Sequence, residues 1–74
     1  MRRDEFIRRV RRLGRKRGAS VRFSAHRGKG SHGTLYYGER HTVVKGGRNE
    51  LSKGLLSAMC KQLGIDLREL CEMV

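Results

Sequence analysis

The spacing of apolar residues changes twice along this chain, and that alternation leaves few folds open. Phe6, Ile7, Val10 and Leu13 recur at helical intervals. Val21, Phe23 and Ala25 then alternate with Ser20, Arg22, Ser24 and His26, the pattern of a half-buried strand. Helical spacing returns at Leu55, Leu56, Met59, Cys60 and Leu63. With 74 residues there is room for one small domain, so residues 1–74 are expected to share a single core.

Local signals set the expected boundaries. Asp4 to Leu13 reads as a helix, with Asp4 and Glu5 in the first turn and Gly14 as its stop. Arg8, Arg9, Arg11 and Arg12 occupy its remaining surface, and Arg15 to Gly18 reads as a cationic turn. A strand from Ala19 to His26 follows, then a loop over Arg27 to Gly30, then a strand from His32 to Tyr37. Gly38 and Glu39, with or without Arg40, form a hairpin turn into a third strand of Thr42, Val43 and Val44. A three-residue turn sets Leu35 opposite Val43, whereas a two-residue turn sets it opposite Thr42. The first buries more apolar surface and is the one expected.

Lys45 to Glu50 is a polar loop. Ser52 caps a helix that runs to about Leu63 and is closed by Gly64. Asp66 caps a last short helix whose stripe is Leu67, Leu70, Cys71 and Val74. Cys60 and Cys71 both fall on apolar stripes without metal or redox spacing, so both are expected in the core, in a reducing cytoplasm. The expected architecture is α+β: a three-stranded antiparallel sheet with the helices on one face.

Charge narrows the partners. Eighteen Lys and Arg against seven Asp and Glu give a formal charge of +11, which suits an acidic partner. No apolar run is long enough to span a bilayer, and the N-terminus has no secretory h-region. The arginines of the first helix suit phosphates or an acidic protein. They also suit a membrane surface, but the stripe that would enter the lipid is needed for the core.

Chemistry concentrates at Gly28-Lys29-Gly30-Ser31-His32-Gly33. The string has the form G-x-G-x-x-G, but a strand follows rather than a helix, which excludes a dinucleotide fingerprint. Its glycines instead allow close backbone approach to a polyanion. Strand parity sets His32, Thr34 and Tyr36 on one face and Leu35 and Tyr37 on the other. If Leu35 faces the core, His32 faces solvent beside Arg27 and Lys29. An imidazole there can take a proton from a ribose 2′-hydroxyl or give one to the 5′-oxygen leaving group. Lys29, Arg27 or backbone amides can offset charge on the phosphorane. RNA carries its own nucleophile, so the scheme needs no metal and no cofactor. His26, His32 and His41 fit no zinc spacing, and His26 and His41 read as surface strand residues. Tyr36 is a candidate for base stacking; Tyr37 packs inward. Gly54, after Lys53 in the first turn of the second long helix, leaves amides open to a phosphate or allows close packing on the sheet.

Gly30-Ser31-His32, followed by Glu50-Leu51-Ser52-Lys53-Gly54-Leu55-Leu56 and Lys61-Gln62-Leu63-Gly64-Ile65, resembles the HicA toxins, mRNA interferases of type II toxin–antitoxin pairs. The resemblance implies a fold like the double-stranded-RNA-binding domain, α-β-β-β-α, here with a short extra C-terminal helix. It implies metal-independent cleavage of mRNA with His32 as the catalytic residue, and a HicB-like antitoxin that covers the site. Arg22, Arg27, Lys29, Gly30, Ser31, Tyr36 and Lys53 are the expected RNA-binding residues. The rival expectation is a non-catalytic RNA-binding module on the same fold, in which His32 is dispensable.

Overall fold

A computed structural model describes residues 1–25, 32–44 and 50–72. The element order is α1 (Arg3–Arg17), β1 (Val21–Ala25), β2 (Gly33–Tyr37), β3 (Arg40–Val44), α2 (Lys53–Leu63) and α3 (Leu67–Glu72). The strands form one antiparallel sheet in the order β1-β2-β3. α1 packs against β1 and β2, and α2 packs against β3. α3 does not extend the cover of the sheet as a third equal partner; its main packing is against α1 and α2. The expected α+β layer, with a double-stranded-RNA-binding-domain-like order and one extra short helix, is the observed one.

Phe6, Val10 and Leu13 from α1 meet Leu35 and Val44 from the sheet and Leu56, Met59, Cys60 and Leu63 from α2. Ile65 and Leu70 close the cluster. Each fully buried side chain of this size contributes roughly 1.5–3 kcal/mol relative to exposure. The caps of α2 form as the sequence indicates. The Ser52 hydroxyl accepts from Leu55 N–H at 3.1 Å, and Gly64 ends the helix at φ 73°. Asp66 Oδ1 accepts from Arg68 N–H at 2.9 Å at the start of α3.

Three expectations are corrected. First, α1 does not stop at Gly14: it continues to Arg17 and ends at Gly18, where φ is 72°. Residues 15–17 are therefore its last turn, where positive charge suits the helix dipole. Gly14 is buried because the chain folds back closely on it; a Cβ there would lie 2.3 Å from Val21 Cγ2 and 3.1 Å from the Ala19 carbonyl oxygen.

Second, the hairpin uses a two-residue turn. Tyr37 pairs with Arg40 and Leu35 pairs with Thr42, not Val43. Gly38 adopts φ 60° while, among the described residues, only glycines take a positive φ, the pattern of a type II′ turn with glycine at its first central position. The register buries Thr42 to 2% and leaves Val43 51% exposed. The buried hydroxyl is satisfied because Thr42 Oγ1 donates to Gln62 Oε1 on α2.

Third, Cys71 is exposed, whereas Cys60 is buried as expected. α3 has only six residues and turns Leu70 alone fully inward. The second-helix glycine, Gly54, is also exposed with nothing near the position of a Cβ, so close packing on the sheet does not account for it.

Candidate nucleic-acid interface

Because side chains alternate along a strand, the face of the sheet away from the helices is fixed by the register. It carries Arg22 and Ser24 on β1, Thr34 and Tyr36 on β2, and His41 and Val43 on β3. Arg22, Tyr36 and His41 stand directly opposite one another across the three strands. The Arg22 guanidinium lies 4.7 Å from the Tyr36 ring centroid. On the other side the His41 ring centroid is 6.0 Å from that of Tyr36, at an interplanar angle of 42°. Three flat, polar-edged groups thus form one row, with cation–π attraction at one end and a tilted ring pair at the other. The row is open: Arg22 and His41 are exposed and Tyr36 is half-buried.

His32 immediately precedes β2 and is exposed. Its parity with Thr34 and Tyr36 continues the outer face toward one end of the sheet. At about 3.3 Å per residue, His32 and Tyr36 are separated by roughly 13 Å along the strand. Gly33 marks this end. A Cβ at Gly33 would lie 2.3 Å from Phe23 Cζ and 2.9 Å from the Ser24 carbonyl oxygen. The Phe23 ring fills the space beneath the residue next to His32, so the backbone there is held from the inner side while the outer side stays open.

Both long helices begin toward that same end. The α1 residue Arg3 holds its guanidinium 5.9 Å from the Phe23 ring centroid, whereas Gly14 near the far end of the helix meets Val21 and Tyr37. The C-terminus of α2 lies at Arg40, the end of β3 remote from Val44. The two helix starts meet, with Leu51 N–H donating to the Met1 carbonyl at 3.0 Å. Their dipoles add positive potential at the His32 end of the molecule.

The sequence-derived candidates separate into three groups. Arg22 and Tyr36 are brought together on the outer face. Lys53 is exposed at the start of α2, on the helical layer; among the described residues no hydrogen bond or ion pair joins it to His32. Arg27, Lys29, Gly30 and Ser31 lie outside the described residues, as does His26. His41 has a place in the row that its composition-based reading as a surface strand residue did not give it. The signal was in the register: only the two-residue turn sets His41 opposite Tyr36.

The arginines of α1 divide as well. Arg9 is structural: its Nη1 donates to the carbonyls of Leu70 at 3.1 Å and Cys71 at 2.9 Å, and its Nη2 lies 2.7 Å from Glu5 Oε2. Arg17 pairs with Glu69. Arg8, Arg11, Arg12 and Arg15 are exposed and form no ion pair among the described residues.

Neither the search of curated proteins nor that of solved structures gives a match. Residues 3–65 match the sequence model of a family described as HicA toxin of bacterial toxin-antitoxin. That span takes in α1, the whole sheet, α2 and Gly64, and so includes His32 and the outer row. The chain belongs to the HicA toxin family: it is the toxin of a toxin–antitoxin pair, with an antitoxin as partner and RNA as substrate, in a family whose members are generally ribonucleases.

Proposed function

We propose that the chain is a metal-independent endoribonuclease that cuts mRNA with His32 as its general acid or base. What supports the proposal is that His32 is exposed immediately before β2, where strand parity assigns its side chain to the open face that carries the Arg22–Tyr36–His41 row. An RNA strand lying on that face would find a cation and ring faces at one end and a proton carrier at the other.

The chemistry uses the substrate's own nucleophile. The ribose 2′-oxygen attacks the adjacent phosphorus as its proton leaves, and the bond from phosphorus to the 5′-oxygen breaks. The products are a 2′,3′-cyclic phosphate and a 5′-hydroxyl, the latter receiving a proton. His32 accepts the first proton or supplies the second, with water completing the balance. Arg22 and Tyr36 position the strand on the outer face, together with Arg27, Lys29, Gly30 and Ser31, whose charges and backbone amides suit phosphates, while Lys53 on the helical layer meets phosphates where the RNA continues past the His32 end. Residues 1–74 act as one domain. The reaction requires no cofactor and belongs in the cytoplasm, where mRNA is found. A HicB-like antitoxin silences it by covering this face. Among the described residues, no helix is long and apolar enough to cross a membrane.

The products test this reading. Purified protein incubated with an RNA oligonucleotide in excess chelator should release fragments that end in a cyclic phosphate. Replacing the cut nucleotide by its 2′-deoxy form should stop cleavage at that linkage. Fragments with a 3′-hydroxyl and a 5′-phosphate, or cleavage that stops with chelator, would overturn it.

A further inference from the structure

The α1 arginines that form no ion pair among the described residues do not stand over bare helix. Ile7 of α1 and Phe23 and Val21 of β1, all half-buried, floor a groove walled by Arg8, Arg11 and Arg15. It consists of two adjoining hollows of about 400 and 390 Å³ that share Arg11. The acidic residue at its end, Asp4, has an arginine of its own, with Arg3 Nε at 3.5 Å from Asp4 Oδ1. The walls therefore present net positive charge over an apolar floor.

The groove runs beside an open sheet edge. β1 is an edge strand of the sheet, and among the described residues no strand pairs with its other side. The register says which backbone groups point outward. Gly38 N–H donates to the Ser20 carbonyl at 2.8 Å, which makes Ser20 and Gly38 a hydrogen-bonded position at the end of the β1–β2 ladder. Alternation then turns the amides and carbonyls of Arg22 and Ser24 toward β2, and those of Val21, Phe23 and Ala25 toward the open edge.

We propose that this edge receives an extended acidic segment of a partner protein as a fourth strand. A strand added there would alternate its side chains between the two faces of the sheet. Those on the helical side would enter the groove beneath Arg8, Arg11 and Arg15; those on the other side would lie beside Arg22. Acidic residues at alternate positions match the arginine wall, and the donor–acceptor row of Val21, Phe23 and Ala25 matches a polypeptide backbone. RNA offers phosphate acceptors and one 2′-hydroxyl per nucleotide but not the alternating N–H and C=O row of a polypeptide, which is why a peptide is favoured over nucleic acid. The surface is separate from the proton chemistry at His32.

The probe is a fluorescein-labelled (Glu-Thr)4 peptide, titrated against the full chain. Binding should be saturable. It should weaken about tenfold or more in an Arg8→Glu, Arg11→Glu variant, because two attractive charges become repulsive. It should be equally weakened when alternate peptide amides are N-methylated, which blocks strand pairing while keeping the charge. In amide-exchange NMR, Val21, Phe23 and Ala25 should gain protection on binding while Arg22 and Ser24 change little. His32→Ala should leave all of this unchanged, which keeps the result distinct from the test of the nuclease. No binding at millimolar peptide, equal affinity for the N-methylated form, or unaltered affinity of the arginine variant would overturn the proposal. Displacement by octauridylate with the same arginine dependence and no protection at β1 would instead make this face an RNA surface.

Discussion

The two faces of the sheet are built from the same five-residue strands yet obey different rules. On the inner face, Leu35 and Val44 are fully buried and even Thr42 is sealed, its hydroxyl satisfied by Gln62. On the outer face, Arg22, His41 and Val43 are open, and Tyr36 is held by neighbours across the strands rather than by a core. One residue of displacement in the β2–β3 register would exchange Thr42 for Val43 and remove His41 from the Tyr36 row. The turn at Gly38 therefore sets both the core and the composition of the open face. Stability is concentrated on one side and exposed polar chemistry on the other, which lets either be changed with limited cost to the other.

This division can be broken by substitution. The largest stability loss should come from the inner face: Leu35→Ala should cost about 2–5 kcal/mol in urea unfolding, by leaving a cavity between the sheet and both long helices. Tyr36→Ala in the adjacent outer position should cost distinctly less, and comparable losses would mean the outer row is itself a core.

Gly33→Ala should follow, at about 1–3 kcal/mol, because the added methyl meets the Phe23 ring and the Ser24 carbonyl. Pairing it with Phe23→Leu should recover part of that loss by making room. No recovery would place the strain in the backbone contact.

A smaller effect separates the two registers. Thr42→Val should cost about 1 kcal/mol by removing the bond to Gln62, whereas Val43→Thr should stay within about 0.5 kcal/mol because the site is open. The reverse ranking would show the three-residue turn.

The smallest concerns the thiols. Burial first, then the nearby Cys71 and Asp66, push the Cys60 thiol from 9.0 up to about 11. A raised folded value favours the protonated, folded form: its contribution is intact below pH 9 and is lost as pH rises toward 11. At pH 8 an alkylating reagent should label the exposed Cys71 readily and Cys60 only on unfolding. Equal labelling rates would place Cys60 outside the core.

Much of this was legible because it was local. Ser52, Gly64 and Asp66 act within one helical turn, and their caps appear where the residue types suggest. The exposure of His32 followed from its parity with Leu35. What escaped depended on distant partners. Gly14 resembles a stop until β1 is seen to press on it. Thr42 is a poor core residue until Gln62, twenty positions away, supplies an acceptor. Arg9 resembles its neighbours until α3 brings the carbonyls of Leu70 and Cys71 to it. Apolarity alone favoured Val43 over Thr42, and with that choice His41 lost its place beside Tyr36.

The central claim is that one imidazole at the head of β2 moves the proton when RNA is cut. His32→Ala, checked by circular dichroism and urea unfolding to be folded like the parent, should bind RNA with similar salt dependence. Its cleavage rate should fall by about 10²–10⁴-fold. A folded His32→Ala protein that cuts RNA at the parent rate would contradict the account.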